Sequence, residues 1–284
     1  MCCWGKIMRF HKVYVEISNL CNLSCSFCPG TKRQKRAMTE DEFAALLPKL
    51  RPYTQYLYFH LMGEPLCHPK LGIFLHLAQR EGFKVILTTN GTLLEAKQQL
   101  LLTSGALHKV NISLHAFEAN DLDVSFEEYL RRCFAFGKAA EGKVLVSYRL
   151  WNHGGKDARN EEILCLMKQY FTGEWVKERH GFRIGQRIYL EHGDKFDWPD
   201  LSAEDGGDAV FCYGLRDQLG VLCDGTVVPC CLDHEGDLAL GNLFREDMDT
   251  ILASKRAKAI YEGFSNRKAA EDLCRRCGYA RRFG

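Results

Sequence analysis

The sequence predicts an α/β protein: a partial (β/α)6 barrel, then a smaller C-terminal unit made of a β-hairpin plus helix. Three observations lead there. Short β-branched apolar runs alternate with amphipathic stretches up to about residue 192, the pattern of repeated βα units with right-handed crossovers. Six such units are too few for a closed eight-fold, TIM-type barrel and enough for an open one. The alternation then stops in a turn-rich break, and the character of the chain changes beyond it.

Strands are expected at 13–17, 56–61, 83–88, 109–114, 143–150 and 187–191, each rich in aliphatic or aromatic residues. Helices are expected near 39–50, 69–81, 92–103, 123–140 and 159–171, where apolar residues recur at helical spacing. Thr39 followed by Glu42, and Thr92 followed by Glu95, read as capping boxes for the first and third helices. Gly193-Asp194-Lys195, Trp198-Pro199-Asp200 and the run 203–208 lose the periodicity. After them, 219–223 and 226–228 flank Asp224-Gly225, a two-residue hairpin signal. The expected division is a core domain at 1–192, a linker at 193–211 and a C-terminal domain at 212–284.

At 284 residues the chain buries a large core. Its formal net charge of +2 gives no general argument for nucleic acid or membrane partners. No run approaches the roughly 20 apolar residues that span a bilayer. The stretch Met1-Cys2-Cys3-Trp4-Gly5-Lys6 lacks an apolar secretory region, so a cytoplasmic protein is expected. In a reducing compartment, 14 Cys point to metal binding or chemistry rather than disulfides.

The sharpest signal is Cys21, Cys25 and Cys28, a C-x3-C-x2-C loop directly after the first apolar run. Three thiolates on one loop hold three irons of a cubane cluster and leave the fourth open to bind a small molecule and pass it an electron. Loops after strands are where a parallel α/β sheet carries its functional groups. Further candidates fall at successive strand ends: Met62-Gly63-Glu64-Pro65, Thr88-Thr89-Asn90-Gly91, Ser113, and Arg149 with Asn152 beyond it. Alone, each is ordinary, since Gly-Glu-Pro and Asn-Gly are turns and a strand-end Ser is usually a satisfied hydroxyl. Their order along the chain gives them weight.

Together with Phe27 just before the last Cys of the loop, these residues resemble the radical S-adenosylmethionine (SAM) superfamily. The resemblance implies a [4Fe-4S] cluster on Cys21, Cys25 and Cys28 whose open iron binds the amino and carboxylate groups of SAM. One electron then cleaves SAM to methionine and a 5′-deoxyadenosyl radical, which abstracts hydrogen from the substrate. Met62–Pro65 resembles the family's Gly-Gly-Glu-Pro motif, with Met for the first Gly. There Gly63 allows close approach, Pro65 fixes the turn, and backbone groups with Glu64 meet an amino group. Asn90 belongs to a Thr-Asn-Gly similar to the family's, and Ser113 and Arg149 stand where relatives place polar groups on SAM carboxylate or ribose. A reducing partner such as flavodoxin or ferredoxin is implied.

A second set, Cys212, then Gly225-x4-Cys230, then Cys274-x2-Cys277, resembles the family's C-terminal extension, SPASM in its long form and twitch in its short form. The long form has two further Cys, and none follows Cys277 before Gly284. The short form is therefore expected, with one auxiliary [4Fe-4S] cluster on Cys212, Cys230, Cys274 and Cys277. Cys231 is the alternative to Cys230, and a four-Cys zinc site is the competing occupant. Four thiolates close the irons, so this cluster moves electrons rather than binding substrate. Asp233 is a candidate base, because some relatives keep an acid nearby. Cys133 and Cys165 read as small buried apolar groups, Cys2 and Cys3 as free thiols, Cys223 as a stray thiol, and Cys67 has no ligand spacing. His60, His68 and His115 read as structural, with His115 facing the cavity. The tail Arg275-Arg276 and Arg281-Arg282 reads as a solvated basic end.

The function expected is a radical SAM enzyme that oxidises or modifies a small molecule or peptide, with the auxiliary cluster as electron acceptor. A small molecule is favoured because the first strand begins near residue 12. An RNA-modifying enzyme has only the Arg-rich tail in its support. A non-catalytic iron–sulfur electron carrier needs no SAM pocket, and the set Gly63, Glu64, Ser113 and Arg149 counts against it.

Overall fold

The computed structural model describes residues 9–283. Cys2 and Cys3, with the rest of the first eight residues, lie outside the described residues.

The chain runs β1 (Lys12–Val15), α1 (Glu40–Leu50), β2 (Tyr56–Phe59), α2 (Leu71–Arg80), β3 (Lys84–Thr89), α3 (Leu94–Thr103), β4 (Leu107–Ser113), α4 (Phe126–Ala140), β5 (Leu145–His153), α5 (Asn160–Tyr170), β6 (Val176–Glu178), β7 (Gly181–Gly185) and β8 (Ile188–Asp194). After a stretch without helix or strand come β9 (Gln218–Val221), β10 (Thr226–Val228), β11 (Gly241–Asn242), α6 (Met248–Leu252), α7 (Lys255–Ser265) and α8 (Asp272–Arg275). The sheet order is β11-β10-β9-β1-β2-β3-β4-β5-β8-β7-β6. β1 to β5 and β8 pair in parallel, so all six strands and five helices read from periodicity are present in one open barrel.

The helices bury their apolar stripes on the outer face of the sheet. In α1, Phe43, Leu46, Leu47 and Leu50 recur at helical spacing and are buried, with Phe43 stacked on Phe74 of α2 at 4.3 Å. Thr39 and Glu42 form the expected capping box. The second expected box does not form. The Thr92 hydroxyl donates to Asn90 Oδ1, and α3 starts later, at Leu94. The hairpin also differs from its expected two-residue turn. Leu222 N–H donates to Thr226 O, leaving Cys223, Asp224 and Gly225 as a three-residue loop with Gly225 at φ +86°.

Two features were not legible. β6 and β7 form an antiparallel ribbon on the edge of β8, and their short, charge-rich runs carry little periodicity. The C-terminal hairpin also extends the barrel sheet itself. β9 pairs with β1 in parallel, from Lys12↔Gln218 to Val15↔Val221. Among the described residues no helix is long and apolar enough to cross a membrane.

Candidate active site

The loop after β1 carries Cys21, Cys25 and Cys28 and is closed by a bridge between Ser18 and Ala37. Its base is tied by Glu16, which is buried. One Glu16 oxygen meets Arg33 at 2.7 Å and accepts Met62 N–H, and the other accepts Cys223 N–H. Asn19 accepts Arg36 N–H and donates to Gln34 O. Two of the thiols face N–H donors. Asn120 Nδ2 donates to Cys25 Sγ at 3.1 Å and Leu23 N–H to Cys21 Sγ at 3.4 Å, while Cys28 Sγ lies 3.9 Å from Met62 Sδ. Three sulfurs on one loop, two of them met by N–H donors that suit sulfur carrying negative charge, fit the three-thiolate cluster.

The next strand ends hold this loop in place. Gly63 sits at φ +79°, and a Cβ there would meet Ser18 O at 2.3 Å and Leu20 O at 2.7 Å. The motif after β2 therefore packs directly on the backbone of the Cys loop. Glu64 N–H donates to Leu20 O, while the buried Glu64 carboxylate accepts Asn90 N–H at 2.7 Å and Leu66 N–H at 3.0 Å. Burial pushes this carboxyl up to about 7 against those donors. Its side chain thus ties the ends of β2 and β3 together, with Pro65 starting the turn that follows. Asn90 donates to Asn22 Oδ1 and bonds Cys21, so it braces the Cys loop from the side.

A cavity of about 420 Å³ opens on the inner face of the sheet. Strand residues line it at alternate positions: Lys12 and Tyr14, Tyr58 and His60, Ile86 and Thr88, Lys109, Asn111 and Ser113, Arg149 and Trp151. Phe27 forms part of the wall, lies against His115 at 5.0 Å and accepts Trp198 Nε1–H through its carbonyl. Burial holds His60 and His115 down at about 4, so both imidazoles are neutral near pH 7. Arg149 lies 4.3 Å from the Trp151 ring centre and its Nε donates to Glu191 at 3.3 Å. Asn152 turns elsewhere, donating to Lys156 O and Asn160 Oδ1 at the start of α5.

The far wall carries Cys212, Cys230, Cys274 and Cys277. Burial pushes each of these thiols up, so loading the site with metal displaces protons. Cys231 points differently. It shares a hydrogen bond with the Tyr14 hydroxyl and packs with Tyr14, Leu61, Leu222 and Val228. Among the described residues no three His, Cys, Asp or Glu side chains converge on a single-ion site. Asp233 lines the cavity, but Asp237 N–H and Leu238 N–H occupy its two oxygens, and burial raises it to about 6. The tail arginines are not a loose solvated end. Arg275 pairs with Asp205 at 3.0 Å, Arg276 donates to Ala203 O, and Arg282 donates to Asp194 O.

Sequence reasoning missed Glu16, Lys109, Asn111, Asn120 and Glu191. For Glu16 a signal exists: an acid inside the apolar run Val13-Tyr14-Val15-Glu16-Ile17 needs a buried partner.

The Radical SAM superfamily model matches residues 15–140, and the SPASM iron–sulfur cluster-binding domain model matches residues 212–278. The chain is 33% identical over 163 residues to the tungsten-containing aldehyde ferredoxin oxidoreductase cofactor-modifying protein of Pyrococcus furiosus, covering 56% of this chain and 44% of that one. It is 26% identical over 114 residues to the S-adenosyl-L-methionine-dependent 2-deoxy-scyllo-inosamine dehydrogenase of Niallia circulans, covering 38% of this chain and 46% of that one. The chain thus spans less than half the length of these curated relatives. Among solved structures, BtrN in complex with AdoMet and 2-DOIA aligns with TM-score 0.54 and 17% identity, covering 96% of this chain and 94% of that one. Streptococcus suis SuiB bound to precursor peptide SuiA aligns with TM-score 0.64 and 15% identity, covering 97% of this chain and 71% of that one. At such identities the structural likeness bears on fold alone. With both family models matched in chain order, each over a part of the chain that contributes one Cys set, the chain belongs to the radical SAM superfamily of enzymes and carries a SPASM-type iron–sulfur domain.

Proposed function

We propose that the protein reductively cleaves SAM and uses the resulting radical to oxidise or modify a small molecule or peptide held in the inner cavity. The observation that carries this reading is that one cavity is lined both by Phe27, Ser113 and Arg149 and by four thiols, Cys212, Cys230, Cys274 and Cys277. A ligand inside meets both sets. When bound on Cys21, Cys25 and Cys28, a [4Fe-4S] cluster supplies the electron that splits SAM into methionine and a hydrogen-abstracting 5′-deoxyadenosyl radical.

The chain's own residues do the rest. Gly63 and Glu64 set the Cys loop, and backbone groups of that turn receive the SAM amino group. Ser113 and Arg149 bind its carboxylate or ribose, and Phe27 covers that side of the chamber. Cys212, Cys230, Cys274 and Cys277 would hold an auxiliary [4Fe-4S] cluster, which would supply an acceptor for the second electron from the substrate. Asp233 is a positioning residue in this scheme, since its oxygens are committed to the loop at 237–238. The reducing partner is a low-potential carrier of the flavodoxin or ferredoxin kind, and the free thiols suit a reducing cytoplasm. Arg275, Arg276 and Arg282 of the tail bind the chain's own backbone and carboxylates, which speaks against an RNA-binding end.

The test is anaerobic reconstitution of the wild type and of the Cys21/Cys25/Cys28 triple Ala variant, with iron, sulfide and zinc counted, then dithionite and SAM added. The expected result is about eight irons in wild type, about four in the variant, and 5′-deoxyadenosine from wild type alone. Zinc in place of four irons removes the electron-acceptor role. No SAM cleavage by fully loaded protein refutes the enzyme reading.

A further inference from the structure

We propose that the floor of the cavity is an oxyanion subsite, built from Lys109, Arg149 and Asn111, which receives a carboxylate or phosphate group of the substrate. This rests on the cavity being the substrate chamber.

The floor carries more positive charge than it neutralises. Lys109 Nζ lies 2.9 Å from Glu191 Oε1, and Arg149 Nε lies 3.3 Å from Glu191 Oε2. One carboxylate therefore serves two cations, whose side chains are only 21% and 16% exposed. Burial pulls both bases down and Glu191 only partly offsets it, as expected for buried cations short of a counter-charge. Arg149 has five N–H donors, and Glu191 takes one of them. The neighbouring imidazoles of His60 and His115 are neutral. Asp233, the carboxylate in the cavity wall, already accepts two backbone N–H groups. An amine-bearing ligand finds no open carboxylate here, whereas an oxyanion finds two undersupplied cations.

Asn111 adds a second, independent observation. Its Nδ2 donates to Leu87 O at 3.1 Å and to Thr88 Oγ1 at 3.2 Å, which fixes the orientation of the amide. Oδ1 is then a buried acceptor with no partner among the described residues, in a residue that lines the cavity. A buried acceptor left unpaired is unfavourable, and a hydroxyl or N–H on the ligand that carries the oxyanion relieves it. Lys109 sits four residues before Ser113 on β4, about 13 Å deeper along the strand. Lys109 and Asn111 thus lie below the strand-end rim assigned to SAM, while Arg149, opposite Ser113 in the β4–β5 pairing, stands at that rim and reaches down to Glu191.

The experiment is anaerobic calorimetry on the reconstituted holoprotein with saturating SAM. The probes are a matched series: glycerol 2-phosphate, D-glycerate, glycerol and the amine serinol. One or both anions are expected to bind at least about tenfold tighter than glycerol, with serinol weakest. Which anion wins separates phosphate from carboxylate recognition. Lys109→Met should erase the preference, Lys109→Arg should keep it, and Glu191→Gln should tighten anion binding by releasing both cations. Equal binding of glycerol and the anions overturns the proposal, as does a preference that survives Lys109→Met or that appears only without SAM. If Lys109→Met does not fold, Glu191→Gln decides, and unchanged or weaker anion binding refutes the subsite. SAM cleavage is measured on the same preparation. Its absence beside an intact anion preference removes the proposed reaction while leaving the subsite standing.

Discussion

Gly63→Ala tests whether the turn after β2 is the seat of the Cys loop. Gly63 and Gly30 both have positive φ, +79° and +66°, so a methyl group brings the same left-handed backbone cost at each, about 1–2 kcal/mol. They differ in what the methyl meets. At Gly30 nothing lies within 4 Å, whereas at Gly63 the new carbon falls 2.3 Å from Ser18 O, 2.7 Å from Leu20 O and 3.0 Å from Asn19 C. Those are backbone atoms, so no rotamer change relieves the contact, and overpacking of this kind adds about 1–3 kcal/mol. Gly63→Ala should therefore cost about 2–5 kcal/mol and Gly30→Ala about 1–2 kcal/mol. The strain is relieved by moving residues 18–20 away from the turn, and Cys21 moves with them. The assay is urea unfolding of both variants with iron counting after anaerobic reconstitution. Gly30→Ala should keep both sets of irons, and Gly63→Ala should lose those of the N-terminal loop first. If Gly63→Ala matches Gly30→Ala in stability and iron content, the packing argument is wrong.

Three further outcomes are expected. Arg33→Met leaves the buried Glu16 carboxylate without its cation and should cost roughly 3–5 kcal/mol in urea unfolding. Adding Glu16→Gln should recover part of that loss, and strict additivity would show that the pair does not interact. Cys230→Ser should lose the C-terminal irons while Cys231→Ser keeps them, because Cys231 is turned to Tyr14; the reverse iron counts would exchange the two assignments. Burial raises the Glu191 carboxyl, but Arg149 and Lys109 outweigh it and hold the group below the ordinary 4.5. A carboxyl lowered by folding contributes stability above its unfolded value, and that contribution is lost as pH falls through its folded value. Wild type should thus be more stable than Glu191→Gln at pH 7, with the gap closing below about pH 4.5 in thermal melts; a gap independent of pH would discount the ion pairs.

The barrel was legible because its signals are local and repeated. Each helix from α1 to α5 has buried apolar positions at helical spacing, and each parallel strand is a short apolar run. The Thr39 cap was readable for the same reason, since both partners lie within one turn. Thr92 failed because Asn90, two residues earlier, competes for its hydroxyl and N–H. The first Cys set stood out by its spacing, and the second by its resemblance to the SPASM/twitch extension. The charges that shape the chamber were not legible, because Lys109 and Glu191 are 82 residues apart and meet only through the pairing of β4, β5 and β8.

That same dependence on distant pairing explains how the C-terminal Cys set comes to line the cavity of the N-terminal barrel. The N-terminal Cys loop leaves β1 at its carboxyl end, after Val15. β9 lies parallel to β1, and β10 runs back antiparallel to β9, with Val228 opposite Gly220 and Gly220 opposite Tyr14. The chain therefore emerges from β10 toward the amino end of β1, and Cys230 comes two residues later. The two sets stand toward opposite ends of one strand, separated by roughly its 10 Å rise plus the Cys loop. Tyr14, on the cavity side of that strand, bonds Cys231 next to the C-terminal set and lies 5.2 Å from Tyr58. A ligand packed along β1 is then within reach of both walls, which a carrier of electrons alone does not require. Shifting β9 by one residue against β1 would turn the inward-facing side chains of the hairpin outward. The parallel pairing of a C-terminal hairpin with the first strand is thus what makes the four thiols part of the barrel's cavity wall rather than a separate cluster on its surface.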